Sequence, residues 1–478
     1  MKAQKYLLAV LLLAMTLLLN GCGAKDMTGM PYSEIVAYMA ENPDKTVTYS
    51  VTVGEGDAAM TIRNTDTTAD IDHDTQVGDM IAQQEYLQHL THIGYTGSDP
   101  KVVLALREQF PNAKISYAFS FLGQTITDDS TVLDFSALTA QELEEAAVYL
   151  QLPANLQSVV LSKDRQPSPL SIDEAAQLQA ARPEVHLEYT TELFGQLIST
   201  DMASVEYFKT PIYDSGLESF RTLIPMMYNL TYLKLDWCET SDEATAQLRE
   251  DFRDKCKVVW RVFIGQNNLL TDSLKLWATW SLTDAVVEPL KYCTELKYLD
   301  MGHNKFTNLD FMANMTELEM AIVAVGEVKD IAGIANCKKL EFLELFTSNL
   351  DDEDMQHLAG LTNMKYLNVS NLPKVTNLSF TDDMTQLRRL WCVMSPIGKE
   401  EAARVQALHP DCEVLVYAYG DPTDHGWRYV QGTNDKVKSP EYELVTKRFG
   451  YETWDFSQYP KGYLTEEITY ESLGLTPT

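Results

Sequence analysis

The chain has 478 residues and a formal net charge of −31, with 38 Lys and Arg against 69 Asp and Glu. Acidity at this level argues against nucleic acid as a partner, because phosphate contacts need a basic surface; it acts mainly through solubility and mutual repulsion. Residues 1–22 read MKAQKYLLAVLLLAMTLLLNGC. Lys2 and Lys5 form a basic n-region, and Tyr6 to Leu19 form an apolar core too short for a comfortable membrane span, so the segment is predicted to be a secretory signal. No later apolar run reaches the ~18 residues that read as a spanning helix.

The end of that segment, Leu19-Asn20-Gly21-Cys22, resembles the lipobox of bacterial lipoproteins: an aliphatic residue, then a small one directly before Cys. Asn20 is less usual there than Ala or Ser. The resemblance implies that Cys22 is diacylated and becomes the new N-terminus. The chain would then sit at the outer face of the bacterial cell membrane, held only by lipid, since a lipoprotein N-terminus supplies the several acyl chains that stable anchoring takes. Six Cys follow it: Cys238, Cys256, Cys293, Cys337, Cys392 and Cys412. No CxxC or CxxxC spacing joins them, which argues against zinc. Buried thiols acting as small hydrophobes are expected rather than disulfides.

From there the chain writes one phrase five times: an amphipathic helix, a charged or Pro turn, an alternating strand, then Gly with a polar neighbour. The helices are predicted over 33–44, 99–112, 171–184, 241–254 and 398–411, the first (near 33–42) as an N-terminal cap. Ser or Asp opens four of them, as an N-cap should, and Ser171 with Glu174 makes a capping box. The strands carry Val47, Tyr49 and Val51; Ile115, Tyr117 and Phe119; Val185, Leu187 and Tyr189; Val258, Trp260 and Val262; Val414 and Val416. Their period of two marks half-buried strands. The closing glycines are Gly54, Gly123, Gly195, Gly265 and Gly420. Two further short strands fall within each copy, one after a Thr-Asp dipeptide and one in an L-x-x-[LIV]-x-[LMY] core such as NLTYLKLD.

After residue 296 the pattern is plain. Repeats start at Leu296, Leu318, Leu340, Met364 and Leu387, offset by 22, 22, 24 and 23. Leu296 to Phe306 reads L-x-x-L-x-M-x-x-N-x-F, the leucine-rich-repeat consensus with Asn304 in place; Gly326, Ser348 and Leu372 depart at the Asn position. No single repeat buries its apolar face alone, so neighbours must stack. The predicted fold is therefore α/β: a leucine-rich-repeat solenoid over 23–420, with a curved parallel sheet of about seventeen strands, one per repeat as solenoids stack, and short helices. The whole pattern, over roughly 33–420, resembles leucine-rich-repeat lipoproteins of Gram-positive gut bacteria. Residues 421–478 leave the repeat and turn aromatic, with Trp427, Tyr429, Tyr442, Phe449, Trp454 and Tyr463, and are expected to form a C-terminal cap.

Hydrolase, zincin and phosphate-loop motifs do not occur in the sequence, and no enzyme activity or cofactor is expected. Asp70, Asp72 and Asp74 begin like a calcium loop, but Thr75 stands where Gly is needed and no Glu closes the loop, so no metal site is assigned. In the family this chain resembles, residues between the repeat leucines face out from the concave sheet. Those predicted to form an exposed ligand-binding stripe are Tyr232, Tyr298, Met320, Phe342, Phe346, Tyr366, Arg389, Trp391 and Tyr417. Another protein, on a host or neighbouring-cell surface, is the partner this implies, for binding or adhesion. The alternatives are a surface glycan, for which the stripe offers one carboxamide, Asn368, or a passive structural role in the envelope.

Overall fold

The computed structural model describes residues 24–279, 281–416, 428 and 438–449. The signal segment with Cys22, and also Tyr417 and Gly420, lie outside them. The chain forms two compact units, drawn from Met1–Met202 with Ser219–Asn229 and from Ala203–Glu218 with Leu230–Thr478.

Unit 1 alternates parallel blocks with hairpins. Strands β1 (Lys25–Asp26) and β2 (Val47–Thr48) pair in parallel, and β3 (Ser50–Val53) turns back on β4 (Met60–Arg63). Next come a parallel trio, β5 (Thr68–Ile71), β6 (His92–Tyr95) and β7 (Lys114–Tyr117), and the hairpin β8 (Phe119–Phe121) with β9 (Gln124–Ile126). The pattern repeats with β10 (Val132–Asp134), β11 (Ser158–Val160) and β12 (His186–Glu188), followed by β13 (Thr190–Leu193) with β14 (Gln196–Ser199). The phrase-bearing helices are Tyr32–Glu41, Pro100–Gln109 and Ile172–Ala181. Asp99 caps the second, and the Ser171–Glu174 box caps the third. The first differs: Pro31 takes the N-cap position, without a side-chain bond, and Ser33 lies inside the helix.

Gly54, Gly123, Gly195 and Gly265 therefore stand at hairpin turns, where the chain folds back on itself. Leu122 and Gly123 both have positive φ (48° and 75°), as do Phe194 and Gly195 (48° and 78°). Two consecutive left-handed residues make the turn whose twist suits a tight hairpin. In two copies the Thr of the Thr-Asp dipeptide binds the hairpin base, Thr271 Oγ1 accepting from the Trp260 amide at 3.3 Å. Thr200 Oγ1 accepts from the Tyr189 amide at 3.1 Å and donates to Leu187 O at 2.5 Å. In the first copy Asn64 does this work, accepting from the Tyr49 amide and donating to Val47 O.

Unit 2 opens with a last mixed block: β15 (Ser204–Phe208) and β16 (Tyr232–Asp236) in parallel with the first half of β17 (Lys257–Ile264), whose second half turns onto β18 (Asn267–Leu270). Seven strands then run wholly parallel: β19 (Lys275–Trp277), β20 (Tyr298–Asp300), β21 (Met320–Ile322), β22 (Phe342–Glu344), β23 (Tyr366–Asn368), β24 (Arg389–Trp391) and β25 (Glu413–Leu415). Their register aligns Leu276, Leu299, Ala321, Leu343, Leu367, Leu390 and Val414 in one inward row. Each fully buried leucine there contributes roughly 1.5–3 kcal/mol over an exposed one. This is the stacked leucine-rich-repeat solenoid that the spacing predicts.

One backbone feature keeps time with the leucines. Ser281, His303, Val325, Thr347, Asn371 and Met394 all have φ between 55° and 67°, and from His303 onward they follow the same offsets of 22, 22, 24 and 23. Each of β19 to β24 thus leaves the sheet through a left-handed residue. Beside one of these turns Asn304 binds the backbone three ways, accepting from the Leu282 amide and donating to Ala278 O and Met301 O. The six thiols are free and buried. Burial pushes that of Cys238 up to about 11 and that of Cys392 up to about 12.

Candidate functional site

The sheet face of β19–β25 carries two outward rows. One holds Lys275, Tyr298, Met320, Phe342, Tyr366, Arg389 and Glu413; the other holds Trp277, Asp300, Ile322, Glu344, Asn368, Trp391 and Leu415. Of the predicted stripe, Tyr298, Met320, Phe342, Tyr366, Arg389 and Trp391 stand in these rows, and Phe346 follows β22. The predicted exposure does not hold, because a helix of the C-terminal segment, Pro440–Phe449, lies against them.

This tail helix reads PEYELVTKRF. Tyr442, Val445 and Phe449 recur at three- and four-residue spacing and so fall on one stripe. Val445 and Phe449 pack into a cluster with Met320, Ile322, Ala324, Phe342 and Trp391, rimmed by Tyr298, Phe346, Tyr366, Leu415 and Tyr442. Met320, Phe342 and Trp391 are at most 4% exposed, so three of the residues expected to face solvent are buried. Tyr298, Phe346, Tyr366 and Arg389 are half-buried at the margins. Tyr232 stands apart, in the block of β15–β18, where its hydroxyl donates to Asp272. Burial raises that phenol first, and the carboxylate beside it adds to the effect.

Polar contacts fix the helix at both ends. In its first turn, Glu441 accepts from Arg389 at 3.0 Å. At its last residue Lys275 Nζ donates to Phe449 O at 2.6 Å, placing a buried cation where the helix carbonyls concentrate negative charge. Arg448 donates to the Tyr298 hydroxyl at 2.7 Å and to Glu319 at 3.2 Å. Upstream, Arg428 pairs with Glu344, a carboxylate 1% exposed that also accepts from Asn368 Nδ2. A buried charge without its partner costs several kcal/mol, so Glu344 ties the segment before the helix to the sheet. The arrangement recognises a short amphipathic helix: apolar in the middle, acidic at the N-terminal end, basic at the C-terminal end.

The acidic cluster does not converge. Asp70 lies on β5 with its carboxylate over Gly94, Asp72 sits 3.4 Å from His73, and Asp74 opens the helix Asp74–Ala82. Among the described residues no group of three or more His, Cys, Asp and Glu is placed to hold a metal ion.

No protein-family model and no curated protein matches the chain. Among solved structures it is similar to an internalin of Listeria monocytogenes, at 16% identity over 75% of this chain and 84% of that one, with a TM-score of 0.28. A second internalin of that organism matches at 18% identity over 46% and 74%, with a TM-score of 0.25. A leucine-rich-repeat protein of Leptospira interrogans matches at 16% identity over 69% and 90%, with a TM-score of 0.28. At such scores the fold rests on this chain's own strand register and repeat spacing.

Proposed function

We propose that this chain is a lipid-anchored, extracytoplasmic leucine-rich-repeat protein that binds another protein through the sheet face of β19–β25. In this reading the bound element is an amphipathic helix that takes the place of the tail helix. One observation carries the proposal: the face already holds such a helix, by a side-chain stripe in the middle and ion pairs at the ends. A helix laid in an apolar groove is a recurring mode of peptide recognition. Ten residues are too few for a stable isolated helix, since those under ~12–15 residues are marginal in water. The tail helix is therefore held by its docking, and a longer or better-matched helix can displace it. Carbohydrate fits this face less well, because the large rings are covered and Asn368 is bonded to Glu344. Anchoring through Cys22 belongs to the same proposal and rests on the lipobox resemblance.

A labelled peptide spanning residues 438–450, titrated onto the full chain carrying both Val445→Asp and Phe449→Asp, tests the binding role. Saturable binding is expected, at least tenfold weaker with the parent chain, whose own helix competes. No binding to the doubly substituted chain would refute the groove. Radiolabelled palmitate should enter the parent and not Cys22→Ala; labelling of both would end the lipoprotein reading.

A further inference from the structure

The described residues include four large aromatics that are exposed: Phe208 (60%), Tyr213 (52%), Trp237 (42%) and Phe263 (46%). All four belong to one small region of unit 2, where the second half of β17 leaves β16 to pair with β18. A cavity of about 410 Å³ opens there, lined by Lys209, Trp237, Glu239, Thr240, Arg261 and Phe263 among others. That volume lies within the ~300–1,000 Å³ range of small-molecule sites.

We propose that this crevice is a binding site for a neutral pyranose sugar, stacked on Trp237. The aromatic rings are not a by-product of the fold. Trp237 (φ 59°) occupies the left-handed position that His303, Val325 and Met394 hold in later repeats, so nothing in the turn requires an indole. The sequence-equivalent crevice in unit 1 holds about 280 Å³ and is lined by polar groups such as Ser162, Asp164, Arg165 and Asp201, with Tyr228 its single ring.

The site is also stiff. Trp237 meets Phe263 edge-on, with centroids 4.9 Å apart at 75°, and the Arg261 guanidinium lies 5.9 Å from its ring centre. Arg261 is fixed in turn by two bonds to Asp236 (2.6 and 3.0 Å) and one to Asn268 Oδ1 (2.7 Å), with both charged side chains under 9% exposed. Little ordering cost therefore remains for binding.

The ligand class follows from charge and surface. Asp236 is neutralised by Arg261, and the remaining lining charges, Lys209 and Glu239, have opposite signs, so the pocket is locally neutral in a chain of net charge −31. Neither an anion nor a cation is favoured. Aromatic faces carry negative charge density and attract the C–H face of a pyranose. Around them, the guanidinium of Arg261, the ammonium of Lys209, the hydroxyl of Thr240 and the carboxylate of Glu239 offer both donors and acceptors to ring hydroxyls.

Calorimetric titration of the purified full chain with maltotetraose, cellotetraose, mannotetraose and chitotetraose tests this, with polygalacturonate as the anionic control. Saturable binding of at least one neutral sugar is expected, weakened tenfold or more by Trp237→Ala and under threefold by Trp237→Phe. Met394→Ala, at the equivalent turn of another repeat, should leave it unchanged. The proposal is overturned if no neutral sugar binds, if Trp237→Ala binds as the parent does, or if only polygalacturonate binds. It is equally overturned if a tryptophan-containing peptide, and no sugar, binds in a Trp237-dependent way.

Discussion

Phe449→Ala probes the docking of the tail helix most sharply. Phe449 is fully buried against Val445 and the sheet face, and its carbonyl accepts from Lys275. Truncating a buried Phe costs about 3–5 kcal/mol. We take the lower end, ~3 kcal/mol, because the last turn of a helix relaxes more readily than a core. At 1.4 kcal/mol per decade this shifts the ratio of docked to undocked helix by roughly 10². Amide hydrogen exchange by mass spectrometry reads that ratio, because docked amides exchange through local opening. Peptides covering 440–449 should exchange about 10²-fold faster in Phe449→Ala. Peptides covering β20–β23 should keep their rates, since their amides bond strand to strand. Unchanged rates over 440–449 would refute the docking geometry. Equal acceleration across the strands would show that the helix is part of the core rather than an occupant of the face, and would end its role as a stand-in for a ligand.

Further substitutions test the scaffold. Asn304→Ala leaves three buried backbone groups without their partner; at ~1–3 kcal/mol each, chemical denaturation should show a loss of about 3 kcal/mol or more, and a loss under ~1 would contradict the bonding. Met394 is 55% exposed at φ 59°, where a non-glycine residue costs ~1–2 kcal/mol. Met394→Gly should therefore raise the denaturation midpoint; a lowered midpoint would mean that the turn is not strained. Asp284 accepts from the Thr307 amide and hydroxyl and from the Asn308 amide. Burial alone would raise this carboxyl, but those bonds outweigh it and hold it below its ordinary value of 3.8. The stabilisation is thus full above the unfolded pKa and lost as pH falls through the folded one. Asp284→Asn should be clearly less stable than the parent at pH 7, with the gap closing below about pH 4; a constant gap would contradict the linkage.

How much of this was legible in the sequence differs from part to part. The leucine offsets from Leu296 onward carry the parallel sheet almost unaided, because inward residues must recur once per strand. The phrase-bearing helices were legible through their caps at Asp99, Ser171 and Ser241. The hairpins were hidden. Tight hairpin turns are usually flagged by Asn-Gly or Asp-Gly, whereas here Leu122-Gly123 and Phe194-Gly195 put apolar residues at the first left-handed position. The alternation looked like one strand ending at Gly. Six of the predicted face residues stand in the two rows of β19–β25, Tyr232 does not, and Met320, Phe342 and Trp391 are buried rather than exposed. A sequence shows that PEYELVTKRF is amphipathic, but which apolar surface it covers is a long-range fact, resting on pairs such as Arg389–Glu441 and Lys275–Phe449. The Trp237 region was missed because its rings sit at a strand end, a helix start, a turn and a hairpin, outside the positions between repeat leucines.

The most direct test of the central claim puts a photo-crosslinking side chain at Tyr366, half-buried beside the tail helix, in the chain expressed on its own cells. Illumination should give two products: an internal adduct within 440–449, and an adduct with a second protein that becomes more abundant in Phe449→Ala. If only the internal adduct forms, in parent and variant alike, the face serves the chain's own tail and the proposed binding role is contradicted.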